Sequence, residues 1–344
     1  MKLVIEIPGS LTTVQDLGRW GYQAIGMPVS GAMDAPALIR GNILLGNPDG
    51  AAALEMTMTG ATVKFKDGEG AIAVTGGDLQ PKINNNPVKN WTVLPVKDGD
   101  ILTFGGFCGK GFRTYLCVSG GIDVPLVMGS RSTYMKAKIG GFEGRKLAKG
   151  DELLTGQQGN YKAGINCPEN LQPDYSLTPL RTVLGPQDDH IKPEGIKTFF
   201  DTEYKISSSS DRMGCRMEGE EIIEHYKGPD IVSDAIPMGA VQIPGQGLPI
   251  VMMADRQTTG GYVKIGVVHA LDVARLSQLP PGTFVKFSKI TQEEGIEISK
   301  NEAGKLNELR SHVSKAINSV SSEHGAMNII VNGEKFFVTW EKLS

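Results

Sequence analysis

Apolar and polar positions alternate with a period of two through much of the first half of the chain. Runs at residues 3–7, 62–66, 71–75, 92–96, 101–104 and 113–118 carry this alternation or a short apolar stretch, which predicts strands. A helix is predicted over 34–45, where Asp34 can cap, Pro36 sits in the first turn and Gly46 follows the end. No regular alternation of strand and long helix is present, which disfavours a doubly wound parallel sheet. Residues 156–178 are polar, contain Pro168 and Pro173, and read as a linker or long crossing loop. The β pattern resumes over 179–290, with a helix around 269–278. Residues 301–320 are charged, with Leu306, Leu309, Val313 and Ile317 near helical spacing, and Ile329–Val338 reads as a hairpin turned at Asn332-Gly333. The chain thus divides into a β unit at 1–160, a linker at 161–178, a second β unit at 179–290 and a helix-plus-hairpin extension at 291–344. The fold class is mainly β with a few helices.

Composition sharpens this picture. A chain of 344 residues suits two domains. Glycine pairs at 76–77, 105–106, 120–121, 140–141 and 260–261 flank the β runs and mark turns, bulges or barrel corners. A formal net charge of −3, with no basic patch bearing interleaved aromatics, argues against nucleic-acid binding. No run approaches the ~18 apolar residues of a membrane span. The opening Met1–Pro8 segment carries an acid in its apolar run and is too short for a signal peptide, so a cytoplasmic location is expected. Cys108, Cys117, Cys167 and Cys215 form no C-x-x-C pair, and the five histidines form no H-E-x-x-H. Reduced, mostly buried thiols and no metal centre are the expectation.

The densest polar chemistry follows the apolar run Leu248–Met253. There Asp255, Arg256, Gln257, Thr258, Thr259, Gly260, Gly261 and Tyr262 stand in succession, where a strand end can present a site. Gly129-Ser130-Arg131-Ser132-Thr133, followed by Gly140-Gly141, forms a weaker echo of the same arginine-bearing pattern. Other motifs fall away. Gly105–Gly111 lacks the first glycine and the final Ser or Thr of a phosphate loop, no G-x-S-x-G elbow exists, and Tyr134-Met135-Lys136-Ala137 lacks the order of a biotin attachment site.

Six stretches carry a resemblance to a known family. They are Thr13–Tyr22 (TVQDLGRWGY), Gly26–Asp34 (GMPVSGAMD), Leu54-Glu55-Met56-Thr57, Gly129–Thr133, Ser210-Asp211-Arg212-Met213-Gly214 and Asp255–Tyr262. Together they resemble the biotin-dependent carboxyltransferase-like proteins, in order over roughly residues 3–290. That family includes the C subunit of 5-oxoprolinase, proteins labelled allophanate hydrolase subunit 2, and the carboxyltransferase part of urea carboxylase. The resemblance implies two cyclophilin-like β-barrel domains, a paralogous partner (the B subunit) and a hydrolytic partner (the A subunit). It implies a role as the C subunit of an ATP-dependent 5-oxoprolinase that opens 5-oxo-L-proline to L-glutamate. Transfer of CO₂ from carboxybiotin to urea or a related amide, and a non-catalytic regulatory role toward the paralogous partner, are the alternatives. ATP and Mg²⁺ would act at the level of the complex, with no covalent biotin on this chain.

The residues can be matched to that chemistry. A lactam is a poor electrophile, so ATP-coupled opening calls for cations on phosphate and carboxylate and for donors to the charge developing on oxygen. Arg131 and Arg256, with Asp255 as a possible base, are the catalytic candidates. Arg19 offers a third guanidinium fork. Ser130, Ser132, Thr133, Thr258 and Thr259 supply hydroxyls, and Gln15, Asp16, Ser30, Gln257, Gly261 and Tyr262 complete the substrate-binding set. Asp16, Glu55 and Asp255 could accept a proton or position Mg²⁺. Each has a structural competitor. Asp255-Arg256 and Asp211-Arg212 could be pairs that tie loops together, Gln15-Asp16 could cap a turn, and Ser30–Asp34 could be a helix entry.

Overall fold

The computed structural model of the chain describes residues 1–109, 111–176, 178–318, 324–331 and 334–341, the last two stretches by backbone course alone. The fold is mainly β with a few helices, as expected. In the first half the strands form two sheets. One runs in the order Ile122–Asp123, Glu152–Thr155, Lys2–Ile7, Thr62–Lys66, Ile101–Phe104, Pro81–Ile83, Asn86–Pro87; the other in the order Leu11–Gln15, Ala53–Thr57, Arg113–Val118, Gly70–Gly76, Val93–Val96. Period-two patterning sets their faces. Leu3 and Ile5, and Val63 and Phe65, point inward, while lysines take the intervening outward positions of Thr62–Lys66.

The Gly70–Gly76 strand is buried throughout because both its faces are covered. Ile72 and Val74 enter the core between the sheets, whereas Ala71 and Ala73 face the helix Ala35–Leu44. Small residues there let the helix approach: a Cβ on Gly41 would lie 2.5 Å from Cys117 Sγ. Asp34 caps that helix as predicted, its Oδ1 accepting from Ala37 N at 3.1 Å.

The second half closes into a seven-stranded barrel: Leu180–Leu184, Lys264–Val268, Ala240–Gln242, Ile250–Met252, Gly214–Glu218, Glu203–Ile206 and Phe284–Lys289. Phe199 and Phe287 stack in its core at 4.4 Å between centroids. The helix at Ala270–Ser277 matches expectation, but Pro193–Asp201 is a helix inside the stretch read as β. Residues 156–178 are no free tether. Ile165 O accepts from Val93 N, Cys167 N donates to Trp91 O, and Leu171 O accepts from Arg40 Nε, which binds the crossing to the first half.

The C-terminal helix starts earlier than expected, spanning Gln292–Asn318. It buries Leu309 and Val313 against the Ala35–Leu44 side of the first half, with an Arg40–Glu302 ion pair at 2.7 Å. The strands His324–Val331 and Glu334–Glu341 pair antiparallel, Val331 opposite Glu334. The expected Asn332-Gly333 turn lies outside the described residues, as does Lys110 of the glycine-rich Gly105–Gly111 run.

All four cysteines are free, and only Cys108 is exposed. Burial pushes the Cys117 thiol up to about 12 and the Cys167 and Cys215 thiols up to about 11. Their thiolate fractions therefore stay negligible at pH 8. The native chain should titrate one thiol promptly with a disulfide reagent at pH 8, and four once denatured. Prompt reaction of two or more native thiols would contradict this packing.

Candidate active site at the junction of the two β units

The two halves meet around Arg212. It sits in the turn before Gly214–Glu218, where Asp211 Oδ1 accepts from the Met213 and Gly214 amides and bends the chain. The buried guanidinium makes a bidentate pair with Asp255, Nε to Oδ2 at 2.9 Å and Nη2 to Oδ1 at 3.0 Å. It also donates to Glu55 Oε1 at 2.5 Å and to the Gly31 carbonyl at 2.6 Å. Burial alone would disfavour this cation, but Asp255 and Glu55 outweigh it and raise the pKa.

From Glu55 the network runs on. Its Oε2 accepts from Met33 N at 2.8 Å and from the Tyr115 hydroxyl at 2.7 Å, and that hydroxyl accepts from Asp34 N. Asp34 Oδ2 accepts from the Tyr175 hydroxyl and from Gln278 Nε2, while Gln278 Oε1 takes the Phe112 and Arg113 amides. Burial holds the Asp34 carboxyl above its usual range and the Tyr115 and Tyr175 phenols well above theirs.

Asp16 organises a second cluster. Its carboxylate accepts from the Gly18 amide at 2.8 Å, the Ser130 hydroxyl at 2.7 Å, the Ser132 hydroxyl, and the Arg131 amide at 2.6 Å. These contacts pin the 129–133 loop to the end of the Leu11–Gln15 strand. Thr133 joins through its amide and its hydroxyl, both donating to Val14 O. The neighbouring glycines are obligatory: with φ +56°, Gly141 has room for no Cβ, which would meet Thr133 Oγ1 at 1.9 Å.

Arg256 occupies a different environment. It is 7% exposed and donates to the carbonyls of Ile236 at 3.0 Å and Met253 at 3.3 Å, with no acidic partner within 4.0 Å among the described residues. Burial alone, with no nearby acid to oppose it, pushes its pKa down to about 10. The side chain walls a cavity of about 470 Å³ built by both halves: Trp20, Pro28 and Val29 on one side, Ile236, Met238 and Gln257-Thr258 on the other.

The expected site residues therefore separate. Asp16, Ser130, Ser132 and Thr133 form one cluster, and Arg256, Gln257 and Thr258 line the cavity. Asp255 is paired with Arg212, not with its neighbour Arg256. Arg131 departs most from expectation. Its guanidinium binds Asp123 Oδ1 at 3.0 Å and Val124 O at 2.8 Å on a partly exposed face, and only its amide enters the cluster. Thr259, Gly261 and Tyr262 are also displaced. They belong to a strand, Thr259–Tyr262, paired with Asp230–Ala235 in a projecting ribbon where Thr259 and Tyr262 face solvent. Gln15 donates to Thr13 Oγ1 and Thr133 O. Arg19 and Ser30 are buried and stand in the chain next to the lining residues Trp20 and Val29. Arg212, which the sequence presents as one half of a structural Asp-Arg pair, is the hub. Trp20, Ile236 and Met238 escape sequence reading because single apolar residues carry no local signal.

Residues 25–289 match the family model "Carboxyltransferase domain, subdomain A and B". The chain is 37% identical over 294 residues to the 5-oxoprolinase C subunit of Escherichia coli K12, spanning 86% of this chain and 93% of that one. It is 35% identical over 306 residues to the 5-oxoprolinase C subunit of Haemophilus influenzae, spanning 88% and 95%. Among solved structures, the urea amidolyase of K. lactis superposes with a TM-score of 0.83 at 30% identity over 90% of this chain. The chain spans only 20% of the length of that amidolyase. No helix among the described residues is long and apolar enough to cross a membrane.

Replacing Arg212 with Met should be severe, since it leaves Glu55 and Asp255 buried without their shared cation. Removal of one partner from a buried ion network costs roughly 3–5 kcal/mol. Urea unfolding checks this, and a loss below about 1 kcal/mol, the range of exposed pairs, would contradict the hub.

Proposed function

The chain belongs to the carboxyltransferase-domain family, and from that premise we propose that it acts as the C subunit of a 5-oxoprolinase, helping to open the lactam of 5-oxo-L-proline to L-glutamate with ATP. The observation that carries the reading is Arg256: a buried guanidinium without an acidic partner among the described residues, on the wall of a cavity shared by both β units. A buried unpaired cation is costly, and an anionic ligand offsets that cost. Small-molecule sites typically occupy about 300–1,000 Å³ and combine apolar walls with a few polar groups. Here Trp20, Pro28, Val29, Ile236 and Met238 suit the ring methylenes of 5-oxoproline, Arg256 its carboxylate, and Gln257 and Thr258 its amide.

The partners are then the paralogous B subunit and the hydrolytic A subunit, and the complex is cytoplasmic. ATP and Mg²⁺ act at the level of that complex. The acids that could hold Mg²⁺ do not fit that role in this arrangement: Arg212 takes both oxygens of Asp255 and one of Glu55, Met33 N and the Tyr115 hydroxyl take the other, and four donors take the Asp16 carboxylate. Asp255 accordingly serves to fix Arg212 and the junction. Transfer from carboxybiotin is less well supported, since the relatives matched almost end to end carry the oxoprolinase name.

ADP release from ATP and 5-oxo-L-proline, with this chain and its two partner subunits each omitted in turn, tests the reading. Release that depends on the substrate and stops without this chain is the expected result. Arg256→Gln should raise KM for 5-oxoproline by about 10–100-fold, the worth of a hydrogen bond to a charged group. Substrate-independent ATP consumption, or an unchanged KM in the variant, would overturn it.

A further inference from the structure

Among the described residues, two buried arginines, Arg19 and Arg256, and the half-buried Arg113 have no acidic partner within 4.0 Å. Arg113 is held by the Ser277 carbonyl and lies over the Phe112 ring, with Gln278 fixing its backbone. Arg19 is different. It is fully buried, its Nη2 donates to Ser132 O at 2.5 Å, and its Nε and Nη1 have no partner. Burial lowers its pKa, while Asp16 and Asp255 support the charge from a distance.

A second orphan lies beside it. The Ser30 hydroxyl is buried and without a partner, on a residue held at φ +58°. Non-glycine residues adopt that conformation at a cost and cluster at functional sites. The two are joined locally: Arg19 N donates to Val29 O at 2.8 Å, and Ser30 N donates to Ala254 O, next to Asp255. Both are chain neighbours of residues that line the cavity, Arg19 preceding Trp20 and Ser30 following Val29. The loop between them is largely exposed at its tip, Trp20 being 61% and Ile25 74% accessible.

Unspent guanidinium N–H groups at Arg19 and an unspent hydroxyl at Ser30, each buried and carried on adjoining backbone, are donors suited to a multiply charged oxyanion. We propose that Arg19 and Ser30 form a second anion subsite that receives phosphoryl oxygens on the activated lactam, while Arg256 receives the carboxylate. This rests on the oxoprolinase reading for its substrate, but the phosphate-binding part stands apart from it. In the step served, the lactam oxygen bonds to the γ-phosphorus of ATP as the bond to the β,γ-bridging oxygen breaks. ADP departs with that electron pair, and the lactam nitrogen sheds its proton to solvent. A subsite used only once the phosphoryl group has arrived favours the transition state over the ground state, so it acts on kcat.

The test has two arms. In the assembled complex, Arg19→Gln and Ser30→Ala should each lower kcat by about tenfold or more while shifting KM for 5-oxoproline less than about twofold, opposite to Arg256→Gln. On the full chain alone, inorganic phosphate followed by tryptophan fluorescence should bind wild type and lose about tenfold or more in affinity in both variants. Unchanged kcat, or loss appearing only in KM, would overturn the subsite, as would phosphate binding indifferent to both changes. Arg19→Lys keeps charge and serves if Arg19→Gln fails to fold. A wild-type complex without 5-oxoproline turnover whose chain still binds phosphate through Arg19 and Ser30 would sink the substrate assignment and keep the anion site.

Discussion

Arg212 holds two carboxylates that belong to different β units, and the junction depends on it. Glu55 comes from a strand of the first half, Asp255 from the end of a barrel strand, and the Gly31 carbonyl from the loop that leads into the Ala35–Leu44 helix. Buried ion networks of this kind add little over a well-packed apolar core, but they tolerate only one arrangement of their members. The geometry therefore sets the relative placement of the 16–34 loop and the 254–258 turn. That placement closes the cavity around Arg256.

The rest of the site follows from how charge is shared. Asp16 spends its carboxylate on four donors and so fixes the 129–133 loop without needing a cation. Arg212 absorbs Asp255 and Glu55. Among the described residues nothing acidic is left at close range for Arg19 and Arg256, and these two remain as cations in low-dielectric surroundings where an anion is bound more strongly than in water. Paired structural acids and cations without an acidic partner are thus separated within one stretch of the same motif. Asp255 and Arg256 are adjacent in the chain and serve different partners.

Much of this was legible in the sequence where the signal is local. Six strands of the first half (residues 3–7, 62–66, 71–75, 92–96, 101–104 and 113–118), the Asp34-capped helix and the helix at Ala270–Ser277 follow from period and capping alone. Leu11–Gln15 is not legible as a strand, because its buried Thr12, Thr13 and Gln15 look polar, and the bond from Gln15 Nε2 to Thr133 O reaches a distant loop. The helix Pro193–Asp201 is hidden because it is short and interrupts a β-rich region. At the site, the sequence flagged the stretches around Asp16, Ser130–Thr133 and Asp255–Thr258, but not how their side chains pair. Adjacent Asp-Arg pairs suggest neighbours bonding each other, whereas register and barrel closure bring Arg212 to Asp255. Thr259 and Tyr262 look like loop donors because nothing local reveals the ribbon partner at Asp230–Ala235.

The central claim is that Arg256 reads a carboxylate in a cavity made by both halves. Its most direct test compares 5-oxo-L-proline with 2-pyrrolidinone, the same lactam without the carboxylate, as ligands for wild type and Arg256→Gln in the assembled complex. The expected result is strong preference for 5-oxoproline in wild type and near-equal weak binding of the two in the variant, a coupling of about 1.5–3 kcal/mol for a charge-assisted pair. Retained preference in the variant would place the carboxylate elsewhere and contradict the assignment.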